Sequence, residues 1–140
     1  MANALFHDTM YNIAANIVDL DSHTFKIALV SDGWTPTATE TEWLEVGSTA
    51  MVFELANGNG YTTGGATITK TLSKLAPGAK WDCADVAWTA ATFTARYAVI
   101  YDATTSPLYV IAYYDFGANK TVAAGTFTLT INAAGLLTII

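Results

Sequence analysis

Hydrophobic and polar residues alternate over much of the chain's second half, the period-two pattern of strands that bury one face. In residues 126–131, Phe127, Leu129 and Ile131 fall on one side and Thr126, Thr128 and Thr130 on the other. Residues 66–72 set Ile68 and Leu72 against Thr67, Thr69 and Thr71, and residues 83–89, 93–101 and 108–116 also read as strands, rich in β-branched and aromatic side chains. Residues 136–140 predict a last strand after Gly135. Nearer the start, residues 23–30 predict the first strand, with Phe25, Ile27 and Leu29 alternating against Lys26 and Ala28, and residues 50–55 predict another. The breaks between them carry turn residues: Asn57-Gly58-Asn59-Gly60, Gly64-Gly65, Pro77-Gly78, the stretch 117–120 and Gly125.

Two segments have helical spacing instead. Met10, Ile13, Ala14, Ile17 and Leu20 recur at intervals of three and four behind Asp8, which predicts an amphipathic helix over residues 8–20 with Asp8 as its N-cap. Thr37 and Glu40 have the spacing of a capping box, so residues 40–46 are expected to form one or two helical turns inside an otherwise irregular stretch. Seven or eight short strands with this punctuation predict a mainly β chain, a jelly-roll-like β-sandwich with a short N-terminal helix. The 140 residues fit one domain, with residues 1–22 as N-terminal arm and helix and residues 23–140 as strands and loops.

Charge narrows the partners. Only 13% of residues are charged against 52% hydrophobic, so the surface must be covered largely by Thr, Ala, Asn and Gly and is weakly defended against association. The net charge of -6 argues against a surface that tracks nucleic-acid phosphates or an anionic membrane. Residues 1–70 hold eight of the twelve acids and two of the six bases, so the acid excess lies in that half. Residues 1–6 lack the basic region and apolar core of a signal peptide, and no apolar run is long enough for a membrane span, so a soluble protein made inside the cell is expected.

No set of residues nominates an active site, a metal or a cofactor. Residues 58–64 have the spacing GxGxxxG with no helix predicted after them, which reads as a turn rather than a phosphate cradle. His7 and His23 lack metal-ligand spacing, and no Ser or Cys stands out as a nucleophile for either. Cys83 sits between Asp82 and Asp85, surroundings that disfavour a thiolate, and reads as a small core residue. Asp19-Leu20-Asp21 opens like a calcium loop but lacks the later Gly and Glu, so it reads as a helix stop. Glu40, Glu42 and Glu45 read as a solvated acidic face. Among the tryptophans, Trp88 is the natural core residue; Trp34 and Trp43, in the irregular acidic stretch, either pin that loop to the body or anchor another chain. Trp34, Trp43 and Tyr61 would also suit stacking on sugars, which keeps a glycan-binding module as an alternative.

The order of segments resembles the capsid cement or decoration proteins of tailed bacteriophages. The likeness is carried by Met-Ala-Asn-Ala-Leu at residues 1–5 and the helical pattern after it, and by Asp-Leu-Asp-Ser-His-Thr-Phe-Lys-Ile-Ala-Leu-Val at 19–30. It continues through the turn at 56–65, Asp-Val-Ala-Trp-Thr at 85–89 with Thr-Phe-Thr at 92–94, Arg-Tyr-Ala-Val-Ile-Tyr-Asp at 96–102 and Ile-Ala-Tyr-Tyr-Asp-Phe-Gly at 111–117. The resemblance implies a non-enzymatic virion protein on the capsid exterior, made in the host cytoplasm. It would bind the assembled shell as a dimer or trimer and bridge subunits of the major capsid protein. Similar phage sequences also include tail structural components, the second virion reading. The contact segments expected from this role are the N-terminal arm, with Ala2, Leu5 and Phe6, and the C-terminal Leu136, Leu137, Ile139 and Ile140, together with Trp34 and Trp43. For residues 136–140 a strand inside the sandwich is the competing expectation.

Overall fold

The computed structural model describes residues 2–43, 50–132 and 135–139, with backbone alone for residues 2, 3, 50 and 51. Among them, eight strands form two antiparallel sheets. They are β1 (Ala2–Leu5), β2 (Phe25–Val30), β3 (Ala66–Thr67), β4 (Lys70–Leu75), β5 (Gly78–Cys83), β6 (Val86–Asp102), β7 (Val110–Leu129) and β8 (Leu137–Ile139). The larger sheet has the order β1-β7-β6-β2-β3 and the smaller one β4-β5-β8. A mainly β sandwich with one short helix, α1 (Thr9–Ala14), is the class the sequence predicts.

The larger sheet is covered on both faces, which explains the nearly unbroken apolar run of β2. Phe25, Ile27 and Leu29 point into the core shared with the smaller sheet, where they meet Ile100, Ile111 and Trp81. Ala28 and Val30 point the other way, into a second cluster with Val99, Tyr97 and Tyr101 of β6. The period-two rule thus sorts both strands into two cores, and the Phe25 and Trp81 rings, edge-on with centroids 4.9 Å apart, tie one sheet to the other.

The centre of the molecule is the hairpin of β6, 17 residues long, and β7, 20 residues long. The sequence predicts breaks near residues 89–93, 117–120 and 125; the structure carries both strands through them by bulges. Register shifts fall between Trp88 and Ala91, between Ala91 and Phe93, and between Ala95 and Tyr97, where residues 116–119 of β7 stand against Arg96 alone. Ala90 and Ala124 take positive φ of 47° and 48°, so the hairpin bends there without ending.

Other expectations are corrected. The helix stops at Ala14, and its buried side chains are Thr9 and Asn12, while Met10 is 41% exposed. Its inner side is polar because Thr9 Oγ1 donates to the carbonyl of Ile111 at 2.7 Å, docking the helix on β7 backbone. Asp8 stands at the N-cap but makes no side-chain cap bond. Residues 40–43 are not helical: Glu42 bridges Tyr109 as an isolated β-pair, and residues 44–46 lie outside the described residues. Residues 50–53 form a 3-10 turn, and only Glu54 pairs, with Val30. The strand predicted over 66–72 divides, β3 finishing the larger sheet and β4 starting the smaller one.

Candidate functional site

The outer face of the larger sheet is closed by residues 31–43 together with Phe6. Trp34 stands edge-on to Tyr97 and Tyr113, with ring centroids 5.2 and 5.5 Å away, and its Nε1 donates to Glu40 Oε1 at 3.0 Å. Trp43 stacks flat on Tyr101 at 5.1 Å. Trp34, Trp43 and Phe6 are 3%, 2% and 2% exposed, so these expected contact residues instead fill the protein's own second core. Glu40 is buried with them; it belongs to no solvated face, because the indole N–H needs an acceptor where water is excluded.

The terminal segments are edge strands. β1 pairs along β7 from Ala2 opposite Asp115 to Leu5 opposite Ala112, and β8 pairs with β5. Leu136 and Leu137 are buried in the first core, Leu5 and Ile139 are half-buried against it, and Ile140 lies outside the described residues. The C-terminal segment is therefore a strand of the sandwich, and its leucines face inward.

The Asn-Gly turn holds a polar network. Leu29 N–H donates to Tyr61 Oη at 3.1 Å, and Tyr61 O–H donates to Glu54 Oε1 at 2.7 Å. The same oxygen receives Gly64 N–H at 2.6 Å, while Tyr101 O–H donates to Gly64 O at 2.7 Å. The amide at Gly64 thus serves the chain's own carboxylate. Burial, reinforced by Glu54, raises the Tyr61 phenol far above its usual range, and burial pushes Tyr101 up to about 12. Tyr61 is 2% exposed, which removes it from any stacking surface.

At one end of β2, His23 Nδ1 lies 2.6 Å from Asp102 Oδ2, and Asp102 is fully buried. Asp102 Oδ1 also receives Thr104 N–H at 2.9 Å. Beside them, Asp19 accepts the Ser22 hydroxyl and the amides of Ser22 and Asp21, which lower its carboxyl to about 2. Cys83 is a core residue as expected, its thiol pushed up to about 12, first by burial and then by Asp82.

A feature absent from the sequence reading lies on β7. A groove of about 670 Å³ is lined by residues 116, 119–122 and 126–130, all of one strand and its end. Among the described residues β1 covers the outer edge of β7 at residues 112–115, and the groove lies farther along β7, in the lane a further strand would fill. Phe116 and Phe127, 5.9 Å apart, form part of its floor, and Lys120 is its single charged residue. The geometry suits main-chain pairing with an extended segment rather than enclosure of a small molecule.

Among the described residues, no group of three or more His, Cys, Asp or Glu side chains is arranged to hold a metal ion, and no helix is long and apolar enough to cross a membrane. No known protein family, curated protein or solved structure matches the chain.

Proposed function

We propose that this chain is a non-enzymatic structural protein of a tailed-bacteriophage virion, which binds the assembled capsid as an oligomer and stabilises it by bridging major capsid protein subunits. The segment order supports this reading, and the observation that carries it furthest is the uncharged, threonine-covered edge of β7 from residue 121 to 130. Interface centres are depleted in charge, and unpaired strand edges offer main-chain hydrogen bonds to other chains. A protein that binds only the assembled shell stabilises that state by its binding free energy, multiplied over many copies. The glycan-binding alternative loses its stacking residues, since Trp34, Trp43 and Tyr61 are each no more than 3% exposed.

The test is a particle made with and without this chain. Density on the head, and loss of thermal or osmotic resistance when the chain is omitted, are the expected results. Density on the tail would replace the head reading by the tail one. Unchanged particle stability with no association with heads or tails would end the proposal.

A further inference from the structure

We propose that residues 126–130 form a two-fold interface with the same segment of a second copy, joining two larger sheets into one continuous sheet. This deepens the oligomeric part of the function proposed above and rests on that part alone. Three observations converge on a second copy as the occupant. The outer edge of β7 accepts an antiparallel strand elsewhere along its length, since β1 already pairs with residues 112–115. Among the described residues nothing pairs with that edge beyond Asp115, and a groove opens there. The third is electrostatic. Copies of a chain with net charge -6 repel one another, yet the groove contains no acid and one base, Lys120, so it is a surface on which two copies meet with little repulsion.

The sequence of this edge is self-complementary. Antiparallel pairing about an axis at Thr128 sets Thr126 opposite Thr130, Phe127 opposite Leu129 and Thr128 opposite itself. Threonine pairs and aromatic–aliphatic pairs are favourable cross-strand neighbours, and the arrangement is isologous, so it closes at two copies. Lys120 lies eight residues from the axis, which keeps the two lysines apart. Thr126, Thr128 and Thr130 are exposed in the single chain, so pairing requires no unfolding of the sandwich.

The experiment is sedimentation velocity on the isolated protein, with no shell present, so its outcome is separate from that of the particle test. The wild type is expected to show a concentration-dependent dimer. Thr128→Lys sets two lysines face to face and should abolish it, as should Thr128→Glu, while each variant keeps the wild-type circular dichroism and melting temperature. Mixing the two variants should restore a dimer of mixed composition, because the axis sets lysine against glutamate. A wild type that stays monomeric at its highest attainable concentration would overturn the proposal. So would a Thr128→Lys variant that still dimerises, or a mixture that does not recover.

Discussion

His23 Nδ1 and Asp102 Oδ2 meet at 2.6 Å, and the carboxylate they share the contact with is wholly out of solvent. The backbone N–H of Asp19 also reaches this Nδ1, at 3.3 Å. The pair clamps the start of β2 to the end of β6, and the Thr104 amide gives the same carboxylate a second donor. His23→Ala leaves the buried Asp102 carboxyl with that amide as its remaining side-chain partner and is expected to cost about 3 kcal/mol. Asp102→Asn keeps the shape without the charge and should cost less. Urea unfolding midpoints of the two variants, compared at pH 7, check the order.

Trp34 and Glu40 form another buried polar contact, one that holds residues 31–43 over the larger sheet. Glu40→Ala strands the indole N–H and should destabilise the chain by about 1–3 kcal/mol, while Glu40→Gln retains an acceptor and should lose less. Red-shifted tryptophan emission in the alanine variant, from water reaching Trp34, is the accompanying optical signal.

Stability should fall on the alkaline side. Cys83 rises from 9.0 to about 12 and Tyr101 from 10.0 to about 12 in the folded chain, so both favour the neutral form there. Above about pH 9 the unfolded chain releases these protons and the folded chain does not. Their contribution is therefore complete below pH 9 and is lost as pH rises towards 12. Chemical denaturation at pH 7, 9 and 11 should show a falling midpoint, and Cys83 should resist thiol reagents at pH 8 until the protein is unfolded.

Gly65 and Gly117 separate two costs of substitution. Both have positive φ, of 81° and 79°, but a Cβ at Gly65 runs into the carbonyl of Ile27 on β2, while one at Gly117 meets nothing within 4 Å. Gly117→Ala should cost about 1 kcal/mol of backbone strain. Gly65→Ala adds displacement of a central strand and should cost on the order of 3 kcal/mol or more. Melting temperatures of the two variants give the comparison directly.

Periodicity made β2 and the β class legible, because Phe25, Ile27 and Leu29 share a face in any sheet. It did not distinguish a turn from a bulge. Gly117 and Gly125 carry the residue types of both, and only the partner strand decides whether the chain reverses or bends. The Thr-Glu run at 37–42 looked solvated for a related reason: the acceptor role of Glu40 depends on Trp34 being driven inward by Tyr97 and Tyr113, more than sixty residues away. The terminal leucines 136 and 137 read as sticky ends because nothing in their own neighbourhood shows the Trp81 strand that receives them. The groove on β7 left no signal, since an unpaired edge is a property of what does not lie beside a strand.

The pairing of Ala2 with Asp115 also sets an order of events in the making of the chain. β1 has its partner more than a hundred residues downstream, and Thr9 likewise waits for Ile111. β6 and β7 are neighbours in sequence and can close on each other without that delay, so a folding nucleus belongs in their hairpin, with the N-terminal strand added late. Until then β1 is unpaired, and the growing chain must keep it from other copies by speed or by a chaperone.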